Sequence, residues 1–486
     1  MRARLACLAA SLAMLAGCAP MGPDYRRPAS ELPERFADAA PAEGAASAAV
    51  APDWWRLYGD AQLDRLVEAA LAHNADLRLA AAQVEEAEAV LREAFAVLAP
   101  QIDLGATSAR SRASRMTTQP VPAGVPVVGD NHRLALSSAY EIDFWGRLRR
   151  SAEAAQAQLM ASRYGRDVIA LSLSGTVVQG WFALRSLDAQ IAVTREGLGV
   201  REESLALARA RARGGLVSDL DVYQAEGARA DAAVQLNELQ RQRTALEHLL
   251  GTLSGRLDLR VPPGELQAMP EAPLPPPGLP SALLDRRPDI RQAEAGLQAA
   301  NARIGVARAA MMPTISLTGT FGGQSSALSD LLAGGARIWS IGFGLSLPIF
   351  DAGRLQARLE QTEARERQAL IAYQKAAETA FREVADALVD NERGAQAERE
   401  LQARVAAARN TSRLARTRYE GGYSGYLEVL DALRSQNDAE LALIRSRQAR
   451  LAYSVDLMKA LGGGWSDGPE PSAEARNGER SRSSSR

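Results

Sequence analysis

The 486 residues predict a mainly α-helical, internally duplicated chain with a small β part of four strands. Three observations carry this reading. Proline is absent from residues 127–261 and 349–468, and both stretches are rich in Ala, Leu, Arg, Glu and Gln, all good helix formers. Sequence landmarks recur at two nearly constant spacings. Short segments ahead of each proline-free stretch alternate apolar and polar residues with period two.

The repeat comes first because it fixes the architecture. Asp76-Leu-Arg returns as Asp289-Ile-Arg, and Pro100-Gln-Ile-Asp-Leu as Pro313-Thr-Ile-Ser-Leu, each 213 residues on (76 to 289, 100 to 313). Further along, Gly146-Arg-Leu returns as Gly353-Arg-Leu, Gly214-Gly215 as Gly421-Gly422, and Asp221-Val as Glu428-Val. These lie 207 residues on (146 to 353, 215 to 422, 221 to 428). The change of spacing gives the first copy a longer loop, expected at residues 117–129, which are rich in Pro, Gly and Val.

At the N-terminus, Met1-Arg-Ala-Arg, the apolar run of residues 5–16 and Leu15-Ala-Gly-Cys18 read as a signal peptide over residues 1–17. Small residues before a Cys match the site of the bacterial lipoprotein peptidase. Cys18 then becomes the first mature residue, with a thioether-linked diacylglycerol and an amide-linked acyl chain. Three chains hold a protein to a membrane far more firmly than one. Ala19 in place of Asp favours sorting to the outer membrane. Residues 18–72 form an anchored N-terminal segment, 73–261 the first repeat, 262–285 a linker, 286–461 the second repeat, and 462–486 a tail. That tail, rich in Ser, Arg, Gly and Glu, reads as disordered.

Each repeat has one grammar. A helix runs to a Pro at about 74–98 and 287–311. A hairpin follows, at about 101–145 and 314–350. A very long helix comes next, interrupted at the Gly-Gly pair and succeeded by another. A helix over residues 147–213 reaches about 100 Å at 1.5 Å per residue and needs a bundle or coiled-coil seam for its stripe. Leu370, Tyr373, Ala377, Phe381, Val384 and Leu388 form such a stripe.

In the hairpins, Ile315, Leu317 and Phe321 oppose Thr314, Ser316, Thr318 and Thr320. Ile341, Phe343, Leu345, Leu347 and Ile349 oppose Ser340, Gly342, Gly344 and Ser346. Leu134, Leu136, Tyr140, Ile142 and Phe144 oppose Arg133, Ala135, Ser137, Glu141 and Asp143. One apolar face and a length of roughly ten residues suit a strand of a membrane barrel. A soluble hairpin covering the helices is the plainer alternative. Four strands cannot close a barrel, and open edges are not tolerated in lipid. Membrane-spanning strands therefore require chains to pool them, with eight, twelve or sixteen strands all open from the residues alone.

Helix, hairpin, long helix, Gly-Gly break and helix, given twice, resemble the TolC-like outer-membrane efflux proteins. The lipoprotein subset called NodT-type, which serves resistance-nodulation-division pumps, is the closer likeness. The matching stretches are Gly22-Pro-Asp-Tyr-Arg-Arg-Pro28, Asp53-Trp-Trp55 and Tyr140-Glu-Ile-Asp-Phe-Trp-Gly-Arg-Leu-Arg149, then Arg286-Arg-Pro-Asp-Ile-Arg291, Leu430-Asp-Ala432 and Ala460-Leu-Gly-Gly-Gly-Trp465. The resemblance implies a homotrimer: a trimeric α-helical barrel through the periplasm and a 12-stranded β-barrel in outer-membrane lipid. It implies an equatorial girdle that includes residues 262–280. It also implies a periplasmic adaptor protein and an inner-membrane pump as partners.

The same resemblance places a channel gate at the turns after the two Gly-Gly breaks. Glu428 and Asp431, three apart at a helix start, project from one face, with Leu427 one turn before Asp431. Threefold repetition makes rings of carboxylates, which select cations at a constriction. Asp221 sits where the family links neighbouring helix pairs, with Tyr419 where its partner is expected and Arg418 beside it. Ser424 stands where one family member has a linking Arg. The plain alternative is that these are exposed acids favoured by a helix N-terminus. The second repeat is where the gate is chiefly expected, since Asp431 corresponds to Gln224 of the first.

Other function classes fit less well. Cys7 lies in the leader, so the mature chain has no disulfide, and His73, His132 and His248 have no ligand-like spacing. No nucleotide-binding loop is present. A formal net charge of −1 with only Lys375 and Lys459 as lysines speaks against nucleic acid. No nucleophile constellation suggests an enzyme, and no cofactor is expected beyond the acyl groups on Cys18. The remaining alternative is a non-conducting, periplasm-spanning scaffold lipoprotein, which leaves the alternating strands unexplained.

Overall fold

The structure, a computed structural model, describes residues 20–29, 33, 35–36, 50–116, 122, 124–266, 274–275 and 280–466. Cys18, the leader, most of the tail and parts of the linker and first hairpin loop lie outside the described residues.

The chain is mostly helical. Helix α1 (Ala61–His73) precedes the first repeat, which contains α2 (Ala75–Ala96), β1 (Gln101–Arg112), β2 (Val128–Ile142), α3 (Arg147–Arg213) and α4 (Asp219–Leu253). The second contains α5 (Pro288–Ala309), β3 (Thr314–Ser325), β4 (Arg337–Ser346), α6 (Arg354–Glu420) and α7 (Tyr426–Ala460). The duplication holds to the residue. The helices α3 and α6 differ by 207 at both ends (147 to 354, 213 to 420), as do α4 and α7 (219 to 426, 253 to 460). The α2/α5 and β1/β3 pairs differ by 213.

The loop expectation needs one correction. Between β1 and α3 the first copy has 34 residues (113–146), and its counterpart has 28 (326–353). The loop itself accounts for four of the difference (113–127 against 326–336). Strand β2 is five residues longer than β4, and the corner after it is three shorter. A second correction concerns strand ends. Leu347 and Ile349 lie beyond β4, because Pro348 has no N–H to continue the ladder. Phe144 lies beyond β2, where its N–H turns back onto the Ile142 carbonyl at 2.8 Å.

The chain divides into two compact units. The first gathers Gln83–Ser162 and Gln292–Tyr373 with the described part of Met1–Pro28. Its sheet is a single antiparallel ladder in the order β1-β2-β3-β4, so the two hairpins join through β2 and β3. Residues opposite each other across a ladder share a face. Leu104, Leu136, Phe321 and Trp339 make one row, and Asp103, Ser137, Thr320 and Ser340 another, on the opposite face. The apolar face is bare: Ile102 and Leu104 on β1, Leu136 and Ile142 on β2, Leu317 and Phe321 on β3, and Trp339, Ile341, Phe343 and Leu345 on β4 are all exposed.

These side chains are 39–77 % exposed, so at about 1.5–3 kcal/mol for each fully exposed one the face forgoes on the order of 10–20 kcal/mol, as much as the usual net stability of a domain, about 5–15 kcal/mol. A surface with that deficit belongs against an apolar medium. From Trp339 to Leu345 the band spans about 20 Å, near the height of roughly 25 Å expected for a lipid-facing band.

The corner where β2 enters α3 explains the residue choice in the stretch Tyr140–Arg149. Asp143 accepts from the Leu148 and Arg149 N–H groups at 3.0 and 2.9 Å, capping α3. Glu141 pairs with Arg147 through two bonds of 2.9 and 2.6 Å, and the Trp145 indole donates to the Pro313 carbonyl at 2.8 Å. Asp351 repeats the cap at α6, accepting from Leu355 N–H at 2.8 Å. The segment around residues 21–27 is held to α3 and α5. Arg150 pairs with Asp24 at 2.6 Å, and Arg27 with Glu294 at 2.9 Å.

The second unit comprises the described parts of Ala29–Ala82, Arg163–Arg291 and Gln374–Arg486. Its main core packs Trp54, Tyr58, Leu63 and Val67 against Val177, Trp181 and Phe182 of α3, Leu250 of α4 and Val455 of α7. Two buried polar pairs tie this core, while the Trp55 indole N–H is buried without a hydrogen-bond partner among the described residues. Tyr58 shares a 2.6 Å hydrogen bond with Ser454, and the Trp181 indole donates to Asp60 at 2.9 Å. The start of the inter-repeat linker is held by buried charge. Asp188 accepts from Arg185, Arg243 and the Gly264 N–H at 3.1, 2.6 and 3.1 Å, and Glu247 accepts from the Val261 N–H at 2.5 Å. The Arg286–Arg291 stretch has a similar purpose. Buried Arg287 pairs with Asp289 at 2.6 Å and Glu383 at 2.8 Å and donates to the Ala460 carbonyl at 3.1 Å.

Candidate functional site

The two Gly-Gly breaks close the long helices with the same turn. Gly215 and Gly422 adopt φ of 70° and 78°, the left-handed conformation that glycine takes without a Cβ penalty. Leu216 N–H then reaches the Arg211 carbonyl at 3.0 Å and Gly215 N–H the Ala212 carbonyl at 2.9 Å. Tyr423 and Gly422 repeat this onto Arg418 and Tyr419 at 2.8 and 3.0 Å. Both are Schellman ends, which satisfy carbonyls that a helix terminus leaves without partners.

The helices that follow start differently. Ser218 caps α4 by accepting from Leu220 N–H at 3.2 Å, and Asp219 and Asp221 lie in the first turn. Gly425 precedes α7 and provides no side-chain cap, and the Ser424 hydroxyl is buried without a hydrogen-bond partner among the described residues. The second turn therefore lacks a contact typically worth about 1 kcal/mol that the first possesses.

A small core joins the turns. Tyr419 and Tyr426 are buried with Leu205, Ala208, Ala225 and Val429, and the two phenol rings lie 5.4 Å apart. Burial pushes the Tyr426 phenol up from its ordinary range, with smaller upward pushes from Tyr419 and the Asp221 carboxylate. Arg211 clamps this core. Its guanidinium donates to the Tyr419 and Glu420 carbonyls at 3.1 and 3.0 Å and lies 4.7 Å over the Tyr419 ring. The end of α3 thereby holds the end of α6.

The residues expected at the gate are distributed over this region. Arg418 pairs loosely with Glu428 at 3.5 Å. Asp431 pairs with Arg434, one turn on, at 3.0 Å, with both side chains mostly in solvent. Leu427 is 66 % exposed. Asp221 has its N–H on the Ser218 carbonyl at 3.1 Å. Among the described residues no hydrogen bond joins Asp221 to Tyr419. The Tyr419 hydroxyl is buried without a partner, and Tyr419 acts through its ring and carbonyl instead. Within the chain, the contact that reaches Tyr419 from α3 is made by Arg211.

Arg211 itself was not singled out from the residues, although a signal existed: at the spacing of 207 it is the counterpart of Arg418 (211 to 418). Among the described residues no group of His, Cys, Asp or Glu is placed to hold a metal ion.

Comparison with known proteins bears on the whole of this geometry. The family described as "Outer membrane efflux protein" matches residues 66–256 and 279–463. The chain is similar to outer membrane protein OprJ of Pseudomonas aeruginosa, 37 % identical over 465 residues that cover 94 % of this chain and 95 % of that protein. It is similar to the probable outer membrane lipoprotein SilC of Salmonella typhimurium, 33 % identical over 463 residues, covering 93 % and 97 %. Among solved structures it resembles the CmeC outer membrane channel of Campylobacter jejuni, with a TM-score of 0.86 at 26 % identity, covering 94 % of this chain and 98 % of that one.

Proposed function

The chain belongs to the outer membrane efflux protein family, and from that membership we propose how it assembles, is anchored and is gated. It is an outer-membrane protein and the channel component of an efflux pump. The assembly proposed is a homotrimer. One chain has four strands with two bare edges, β1 and β4, and an apolar face turned outward. Joining the β4 edge of one copy to the β1 edge of the next closes twelve strands into a barrel and removes every edge from lipid. The single observation that carries this reading is that exposed face on an unclosed sheet. The α3/α4 and α6/α7 pairs of three chains would line the periplasmic tunnel.

A lipid on Cys18 would tie the mature N-terminus to the same membrane. The lipobox-like Leu15-Ala-Gly-Cys18 and the name of the SilC relative support it. Conduction is passive. Energy is supplied by an inner-membrane pump of the resistance-nodulation-division type, joined through a periplasmic adaptor.

The gate is placed at residues 421–431. Leu427, Glu428 and Asp431 occupy the first turns of α7, where the helix starts without a side-chain cap. Three Asp431 carboxylates around one axis make a cation-selective ring. Asp221, Tyr419 and Arg418 flank it, with Tyr419 in the small core that ties the helix pairs. Closed and open states differ by a shift of the inner helices at these turns, a two-state element biased by a docked partner.

Single-channel recording in planar bilayers tests this. Asp431→Ala is expected to reduce cation selectivity, and Leu427→Ala to raise closed-state leak. If both variants match the parent in selectivity and leak, the gate lies elsewhere.

A further inference from the structure

The apolar face of the sheet does not end in neutral residues. At the hairpin-loop end, opposite the end where the strands meet the helices, its two edge strands finish in arginine. On β4, Trp339 is 71 % exposed and Arg337 follows two residues further out on the same face, about 7 Å away. On β1, the outward sequence from Leu104 is Ala106, Ser108, Arg110 and Arg112. A Trp followed by Arg is the order expected where a lipid-facing strand leaves hydrocarbon and enters headgroups.

The charges are poorly matched within the chain. Arg110 has Asp130 at 3.7 Å, too long for a charge-assisted hydrogen bond. Arg112 and Arg337 are exposed and have no ion pair among the described residues. If chains join edge to edge, β4 of one copy and β1 of the next bring these arginines to one seam, at one end and on the outward face. Like charges gathered at a membrane interface are destabilising unless an anion bridges them. The planar fork of a guanidinium matches phosphate oxygens two at a time.

We propose that Arg110 and Arg112 of one copy and Arg337 of its neighbour form, at each seam of the barrel, a binding site for the phosphate groups of outer-leaflet lipid. The inference rests on the ring of chains proposed above. The site takes phosphorylated lipid headgroups, held by bidentate charge-assisted hydrogen bonds, with Trp339 seated at the acyl boundary beneath them. The bound lipid would neutralise the seam and act as mortar between copies.

The test uses the full purified protein in lipid nanodiscs, with its oligomeric size measured first. Nanodiscs contain either a bisphosphorylated glycolipid or the same glycolipid enzymatically dephosphorylated. Retained lipid is counted by native mass spectrometry. The parent is expected to retain the phosphorylated form and release the dephosphorylated one. The triple variant R110Q/R112Q/R337Q is expected to lose retention by about tenfold or more. Arg133→Gln, on the opposite face of β2, is expected to retain it as the parent does. Equal retention of both lipids, or by the triple variant, overturns the site. Displacement by inorganic phosphate alone overturns the lipid assignment in favour of a free-anion site. A protein that never forms a ring of chains fails at the sizing step, which refutes the assembly and the seam site together.

Discussion

Replacing Arg211 by Ala should loosen the tip of the molecule more than any substitution of the acids near it. The side chain makes two hydrogen bonds to the terminal carbonyls of α6, at 3.1 and 3.0 Å, and covers the Tyr419 ring at 4.7 Å. A hydrogen bond to a charged group contributes about 1.5–3 kcal/mol when shielded. Arg211 is only half-buried, so about 1 kcal/mol per bond is the fitting value. The cation over the ring adds about 0.5–1 kcal/mol. The clamp therefore holds α3 to α6 by about 2–3 kcal/mol, equivalent to a factor of roughly 30–150 in an equilibrium.

If the helix pairs part at this point on opening, Arg211→Ala should raise the open-to-closed ratio in planar bilayers by a factor of roughly 30–150. Arg211→Lys keeps the charge but not the fork, and should fall between. Arg418→Ala, its counterpart in the second repeat, loses only an exposed 3.5 Å contact to Glu428 and should shift the equilibrium by no more than about 1 kcal/mol. An open probability for Arg211→Ala equal to or below that of Arg418→Ala would refute the assignment of the clamp.

Other outcomes follow from the same contacts. Burial makes Tyr426 hold its proton more tightly than in water, so, if opening loosens this tip, the packed state keeps this contribution below the ordinary phenol pKa of about 10 and loses it as pH rises further. Channel opening should therefore increase at alkaline pH, and Tyr426→Phe should flatten that dependence. Gly422→Ala places a Cβ at φ of 78° and should destabilise the second turn by about 1 kcal/mol, read as a rise in leak without loss of the folded trimer. Trp181→Ala empties a fully buried site and removes the bond to Asp60. It should lower stability to denaturant by about 3–5 kcal/mol.

Much of the fold was legible because helices of this length leave few choices. Glycine pairs and prolines punctuate the chain, and the ends of α3 at Arg147 and Arg213 fall where the residues put them. Period-two alternation assigned the faces of Ile315, Leu317 and Phe321 correctly, because a strand face is a local property. What joins β2 to β3 is not local, so the single four-stranded ladder had to come from the structure. The same holds for buried charge. Arg185 and Asp188, three apart on a helix, look like a solvent-exposed pair, and only tertiary contact reveals that both are buried against the linker. At the tip, Asp221 and Tyr419 were expected to bond because each stands at a familiar place. Within the chain the contact to Tyr419 comes from Arg211, whose bonds are to backbone carbonyls, so its only mark in the sequence is its place 207 residues before Arg418.

In the proposed assembly, two further copies close the open four-stranded sheet. Edge cross-linking tests this directly. The sequence has two cysteines, Cys7 and Cys18, neither in a strand, so Thr107→Cys on β1 can be combined in turn with cysteines along β4 from Ile338 to Ser346, and the protein oxidised in native membranes. The predicted result is a ladder of one, two and three chains that stops at three, for the β4 position in register with Thr107. A ladder that stops at two, runs past three, or never leaves the single chain at any β4 position would contradict it.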